Sequence, residues 1–145
     1  MIYQEGKLGR VFLVKFEHDD DLLKELKFFL QQEKINTGIL YLIGALKEAD
    51  IVVGPRECVI PPVAISWHLN DGREIMGLGT IFPDEEGNPV AHIHSAFGRE
   101  GSGIIGCLRD HARVYLLVEA IIIEMEGIEA KRLFNRDYNI KILTL

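Results

Sequence analysis

Two histidines one residue apart, followed by a thiol and a further imidazole, are the residues whose types and spacing could do chemistry. They lie in Pro89-Val-Ala-His-Ile-His-Ser-Ala-Phe-Gly98 and in Gly106-Cys-Leu-Arg-Asp-His111. In an extended strand, residues i and i+2 point to the same face. His92 and His94 therefore project together, and Ala91, Ile93 and Ser95 project to the other side. Two imidazoles so placed can grip one divalent transition metal, zinc among them. Zinc sites take four donors, and catalytic ones leave one of the four to water. A third protein ligand is then needed. Cys107 or His111 could supply it, brought back by the loop from Gly98 to Gly103. The same pair also suits a half-buried strand face whose histidines bond to backbone or carboxylate.

Glu119 sits inside the apolar run Val114-Tyr-Leu-Leu-Val-Glu-Ala-Ile-Ile-Ile123. A carboxylate buried there without a partner would be costly. It reads in two ways: as a group behind the metal ligands that orients one of the histidines, or as an ion-pair partner of Arg99, Arg109 or Arg113 or an exposed edge residue. Glu74 follows a turn and reads as solvated, and His18 and His68 read as ordinary surface or strand histidines. Gly77-Leu-Gly79 lies within a strand, so it is no dinucleotide fingerprint. No serine has a nucleophile-elbow context.

These residues need a scaffold, and the pattern describes one rich in strands. Gly9 to Glu17 alternates as a strand. His18-Asp-Asp-Asp21 offers an N-cap and negative charge for a helix. Leu22, Leu23, Leu26, Phe29 and Leu30 recur at helical spacing, which predicts a helix from about Asp20 to Lys34. Gly38–Leu46 and Ala49–Val53 read as strands with a polar break between them. Ala64–Leu69 is the next strand, followed by a hairpin-type turn at Asn70-Asp-Gly72 and a strand from Glu74 to Phe82. The glycines of that strand, Gly77 and Gly79, imply close backbone approach. After the histidine strand come a short helix or strand near Gly103–Leu108, an apolar strand from Val114 to Met125, and a last strand from Tyr138 to Leu145. Mostly strands with one good helix argues an α+β fold: a mixed, largely antiparallel sheet with few helices.

The chain has 145 residues, which suits one domain spanning 1–145. Hydrophobic residues make up 48% and charged residues 26%, an ordinary balance for a globular protein. The formal net charge is −6, which works against nonspecific binding to a phosphate backbone. Lys and Arg are dispersed, with no basic tract interleaved with aromatics. The first ten residues contain no apolar leader segment, and no run is long and apolar enough to span a bilayer. Two cysteines, Cys58 and Cys107, do not make a disulfide framework. A cytoplasmic protein with reduced thiols and no membrane partner is the expectation.

Four stretches, in this order and spacing, resemble the plants-and-prokaryotes conserved (PPC) domain. They are Gly9-Arg-Val-Phe-Leu-Val-Lys-Phe16 with its leucine-rich helix; Thr37-Gly-Ile-Leu-Tyr-Leu-Ile-Gly-Ala-Leu46; Glu74 to Gly79 with Val90-Ala-His-Ile-His94; and Gly106-Cys-Leu108 with Val118-Glu-Ala120. The resemblance covers nearly the whole chain. It implies a compact unit around a largely antiparallel sheet, assembled as a homotrimer. In plants such domains follow an AT-hook, whereas the prokaryotic type stands alone and is described as DNA-binding by analogy. Several prokaryotic members carry a metal site made of a His-x-His strand and a third histidine in a Gly-Gly-His-Leu segment. Carried over, His92 and His94 match the pair, and Cys107 in Ile105-Gly-Cys-Leu108 takes the third-ligand position, a departure from imidazole. Glu119 matches the family's strand glutamate. No Arg-Gly-Arg-Pro element occurs, so nucleic acid is disfavoured and a small-molecule ligand remains open.

Overall fold

His18-Asp-Asp-Asp21 ends the first strand and starts the helix. The computed structural model describes residues 1–145. Strand β1 (Lys7–Glu17) runs into this acidic turn, and helix α1 (Leu22–Gln32) leaves it. Asp21 is the N-cap: its extended backbone lets the carboxylate accept the Lys24 amide. Leu22, Leu26 and Leu30 form one fully buried stripe, as their spacing predicts. The helix stops at Gln32, two residues earlier than expected, and Lys34 turns the chain at φ 57°.

The rest is strand: β2 (Gly38–Pro55), β3 (Ala64–Leu69), β4 (Arg73–Pro83), β5 (Pro89–Arg99), β6 (Ser102–Glu126), β7 (Lys131–Asn135) and β8 (Ile140–Thr144). Every strand pairing is antiparallel, so the mixed component expected of the sheet does not occur. The α+β description holds in its sheet-rich sense, with a single helix of 11 residues.

Three local expectations are corrected. The polar break after Leu46 does not end a strand. β2 runs on through register shifts at Gly44/Ala45, Leu46/Glu48 and Ala49/Asp50, where bulges absorb the irregular residues. β6 likewise merges the two segments expected around 103–108 and 114–125 into one strand of 25 residues. Asn70-Asp-Gly72 is not a hairpin turn. β3 and β4 both pair with β2, one after the other along it, and the turn is a jog between them. β7 was not foreseen; it pairs with β8 as a separate two-stranded ribbon.

β6 pairs with β1, β5 and both halves of β2, while β5 pairs with β4 and β4 with β2. The ladder from β6 through β5, β4 and β2 thus returns to β6. Inside it lie Leu40, Leu42, Ile81, Ile93, Phe97, Val118 and Ile122, all buried, with the α1 leucines in the same cluster. The close approach expected at Gly79 is present. A Cβ there would sit 2.9 Å from Ile93 Cγ1 and 3.1 Å from Leu40 Cδ2.

Candidate metal centre

Alternation along β5 separates two roles. Ile93, Ser95 and Phe97 are buried, while His92 is half-buried and His94 exposed on the opposite face. Directly paired residues on neighbouring strands share a face. His92 lies opposite Thr80 of β4, and His94 lies between Leu78 of β4 and Cys107 of β6. Extending that row gives Tyr41 of β2, Ile121 of β6 and Leu13 of β1. His94 therefore stands at one end of a row whose members on β4, β2, β6 and β1 are apolar.

The donor atoms of His92, His94 and Cys107 all lie within 4.8 Å of one another. The two Nε2 atoms are 3.3 Å apart, with the rings at 77°. Two nitrogens bound tetrahedrally to zinc are separated by about 3.3–3.4 Å, given zinc–nitrogen bonds of about 2.0–2.1 Å. The pair thus has the spacing of two ligands on one ion. Cys107 Sγ supplies the third donor of the cluster. Imidazole and thiolate together suit zinc or another transition metal better than magnesium or calcium.

Electrostatics favour the ligating form of His92 and work against that of Cys107. Burial first, then Arg132, His94 and Arg109, push His92 down to about 4, so its imidazole is neutral near pH 7. Burial pushes the Cys107 thiol up, and Arg109 and Arg132 oppose that by favouring the thiolate. A metal would add to their effect.

The other candidates lie elsewhere. His111 Nε2 is 2.9 Å from Glu48 Oε1, and its Nδ1 is 3.5 Å from Asp21 Oδ2. It tethers the helix start to the sheet and is not among the converging donors. Glu119 is exposed opposite Lys15 and Ile43, with no hydrogen bond to either histidine and no ion pair with Arg99, Arg109 or Arg113. Of its expected roles, the exposed position is the one the structure shows. His18 Nδ1 accepts the Leu116 amide, and His68 pairs with Asp50.

Sequence reasoning missed Arg132. It is only 7% exposed, donates from Nη2 to Thr80 Oγ1 at 2.7 Å and lies over the Phe82 ring. Its position follows from the β7–β8 ribbon packing on β4. Nothing in Lys131-Arg-Leu-Phe-Asn135 marks a buried cation.

A rolled antiparallel sheet with one helix and a His-His-Cys cluster defines the class of small, sheet-rich domain to which this molecule corresponds. The chain belongs to the Plants and Prokaryotes Conserved (PCC) domain family, which it matches over residues 3–126. Its fold is similar to that of a metal-containing protein from Archaeoglobus fulgidus, with a TM-score of 0.87 and 23% identity over 100% of each chain. A plant- and prokaryote-conserved (PPC) protein from Pyrococcus horikoshii gives 0.86 and 25% over 100% of this chain and 98% of that one. A third structure, from Ralstonia eutropha JMP134, is described as a candidate DNA-binding protein. It gives 0.75 and 20% over 92% of this chain and 90% of that one. No curated protein matches the chain. No helix is long and apolar enough to cross a membrane.

Proposed function

We propose that this protein is a homotrimeric PPC-domain protein of the cytoplasm that holds a zinc-type metal at His92, His94 and Cys107 and binds a small molecule there. The observation that carries the reading is the 3.3 Å spacing of the histidine nitrogens, with the Cys107 thiol on the same face. The Archaeoglobus relative, a metal-containing protein of the same fold, supports it. Bound there, the metal would supply Lewis acidity to an oxygen of the ligand. The chain's own contribution is a neutral His92, a thiol that burial holds in its protonated form against the opposing pull of two arginines, and an open side facing solvent.

The assembly part rests on the family resemblance and on the exposed row of Leu13, Ile121, Tyr41 and Leu78. Further copies of this chain would cover such an exposed apolar row.

Elemental analysis of untagged protein purified without chelator tests the metal site, beside a His92→Ala/His94→Ala variant. About one zinc or other transition metal per chain, lost in the variant, is expected. No metal in either, even after zinc addition, would overturn the reading. The alternative is DNA association, which the Ralstonia relative's description favours. A net charge of −6 weighs against it, because phosphate neutralisation dominates such binding. Salt-dependent retention of duplex DNA would revive it.

A further inference from the structure

Arg132 is a buried cation without an anion. No carboxylate forms an ion pair with it, and its Nε–H is buried with no acceptor. Burying an unpaired charge and an unmet donor is costly, so such groups are normally compensated. The nearby acids are engaged elsewhere: Lys141 holds Glu85 at 2.8 Å and Asp84 at 3.7 Å. Arg109 also has no ion pair or side-chain hydrogen bond, although it is exposed. Arg132 and Arg109 line one cavity of about 410 Å³ together with His92, Ile140 and Lys141. Arg109 and Ile140 also line an adjoining cavity of about 450 Å³, where they meet His94, Cys107, Ile105 and Val53. Two cations without anions thus flank the three candidate ligands, and the wall beyond them is apolar. A guanidinium is suited to a planar oxyanion, which it can bind through two parallel N–H donors.

We propose that Arg132 and Arg109 form an oxyanion subsite beside the His92–His94–Cys107 cluster, which takes the carboxylate or phosphate of a small ligand with an apolar body. The anionic group sits between the arginines, one of its oxygens faces the open side of the metal cluster, and the apolar part lies against Ile105, Ile140 and Val53. The inference rests on the metal reading for the role of that oxygen, but not for anion binding itself. Arg132 and Ile140 also lie beyond the residues matched to the family, 3–126.

The test is calorimetric titration of metal-stripped protein with sodium butyrate and, separately, with inorganic phosphate, at constant ionic strength set by chloride. Saturable binding of either probe is expected, and the probe that binds assigns carboxylate or phosphate. Arg132→Gln and Arg109→Gln should each weaken binding at least about tenfold, the loss of one charge-assisted contact. Arg132→Lys should recover only part of it, because lysine keeps the charge without the fork. Arg109 is exposed, so its variant reports on the site even if Arg132→Gln fails to fold. Zinc loading should tighten anion binding, and the anion should tighten zinc by the same factor. Failure of both probes to bind, or undiminished binding by Arg109→Gln together with a folded Arg132 variant, overturns the proposal. Anion binding by a protein that takes up no zinc would leave the subsite standing and remove the metal centre instead.

Discussion

Cys107 lies directly across from His94 in the β5–β6 ladder, so thiol and imidazole share one face without any loop to place them. Strand pairing fixes their approach, and the same alternation adds His92 two residues along β5.

Cys107→Ser should therefore weaken zinc at least about tenfold, since a serine hydroxyl is a poor substitute for a soft thiolate ligand. His111→Ala should leave zinc affinity unchanged and lower thermal stability, because His111 joins Glu48 and Asp21. Competition with a chromogenic chelator reads the first, and a melting curve the second. Loss of metal in His111→Ala with retention in Cys107→Ser would exchange their roles.

Leu13 and Ile121 are cross-strand partners on the exposed row, and Leu13 is 77% exposed. Leu13→Glu should convert the proposed assembly to a folded monomer, because the charge would be desolvated only when another copy covers it. Light scattering on a sizing column measures the mass, and circular dichroism checks the fold. A mass unchanged from that of the wild type would remove this row from the proposed interface.

Gly44 adopts φ 141° where β2 crosses β6, and a Cβ there would lie 2.4 Å from the Leu117 carbonyl oxygen. Gly44→Ala should cost about 1–3 kcal/mol in unfolding free energy from backbone strain alone, plus the clash. The shift in denaturant midpoint measures it. Gly54→Ala, at the same φ but with open space around it, should cost less.

Glu85 ties the β7–β8 ribbon to the β4–β5 turn. It accepts the Phe134 amide at 2.7 Å and pairs with Lys141. The hydrogen bond from Lys141, with backbone donors, lowers its carboxyl from 4.5 to about 2. A depressed folded value means that this stabilisation is complete above about pH 4.5 and is lost as pH falls towards 2. Amide exchange at Phe134, corrected for intrinsic rates, should lose protection across that window. Glu85→Gln should remove the pH dependence. Because the ribbon carries Arg132, acid should loosen the cavity wall together with the tether.

The helix and the histidine pair were legible because each is written in a short period: leucines at helical spacing, and His92 and His94 two residues apart. The continuity of β2 and β6 was not. Polar residues such as Lys47-Glu48 and Arg109-Asp-His111 resemble strand ends, but bulges and exposed positions carry them through the sheet. Glu119 looked costly inside its apolar run because sequence does not say that this face of the strand is open to solvent. Arg132 was invisible for the converse reason. Its burial depends on where a distant ribbon packs, and no local pattern encodes that.

The long strand β6 also has a consequence for how the chain is made. It pairs with β1, with β2 and with β5, so none of these three strands can complete its hydrogen bonding until β6 has emerged. A nascent chain released up to Arg99 has the helix and most strands but exposes the unpaired edges of β1, β2 and β5, which are templates for joining another chain. Such non-local pairing is slow to form. The ribosome must therefore deliver the strand carrying Cys107 before the product is safe from its own neighbours, and the same late strand that completes the barrel-like sheet also completes the proposed ligand set.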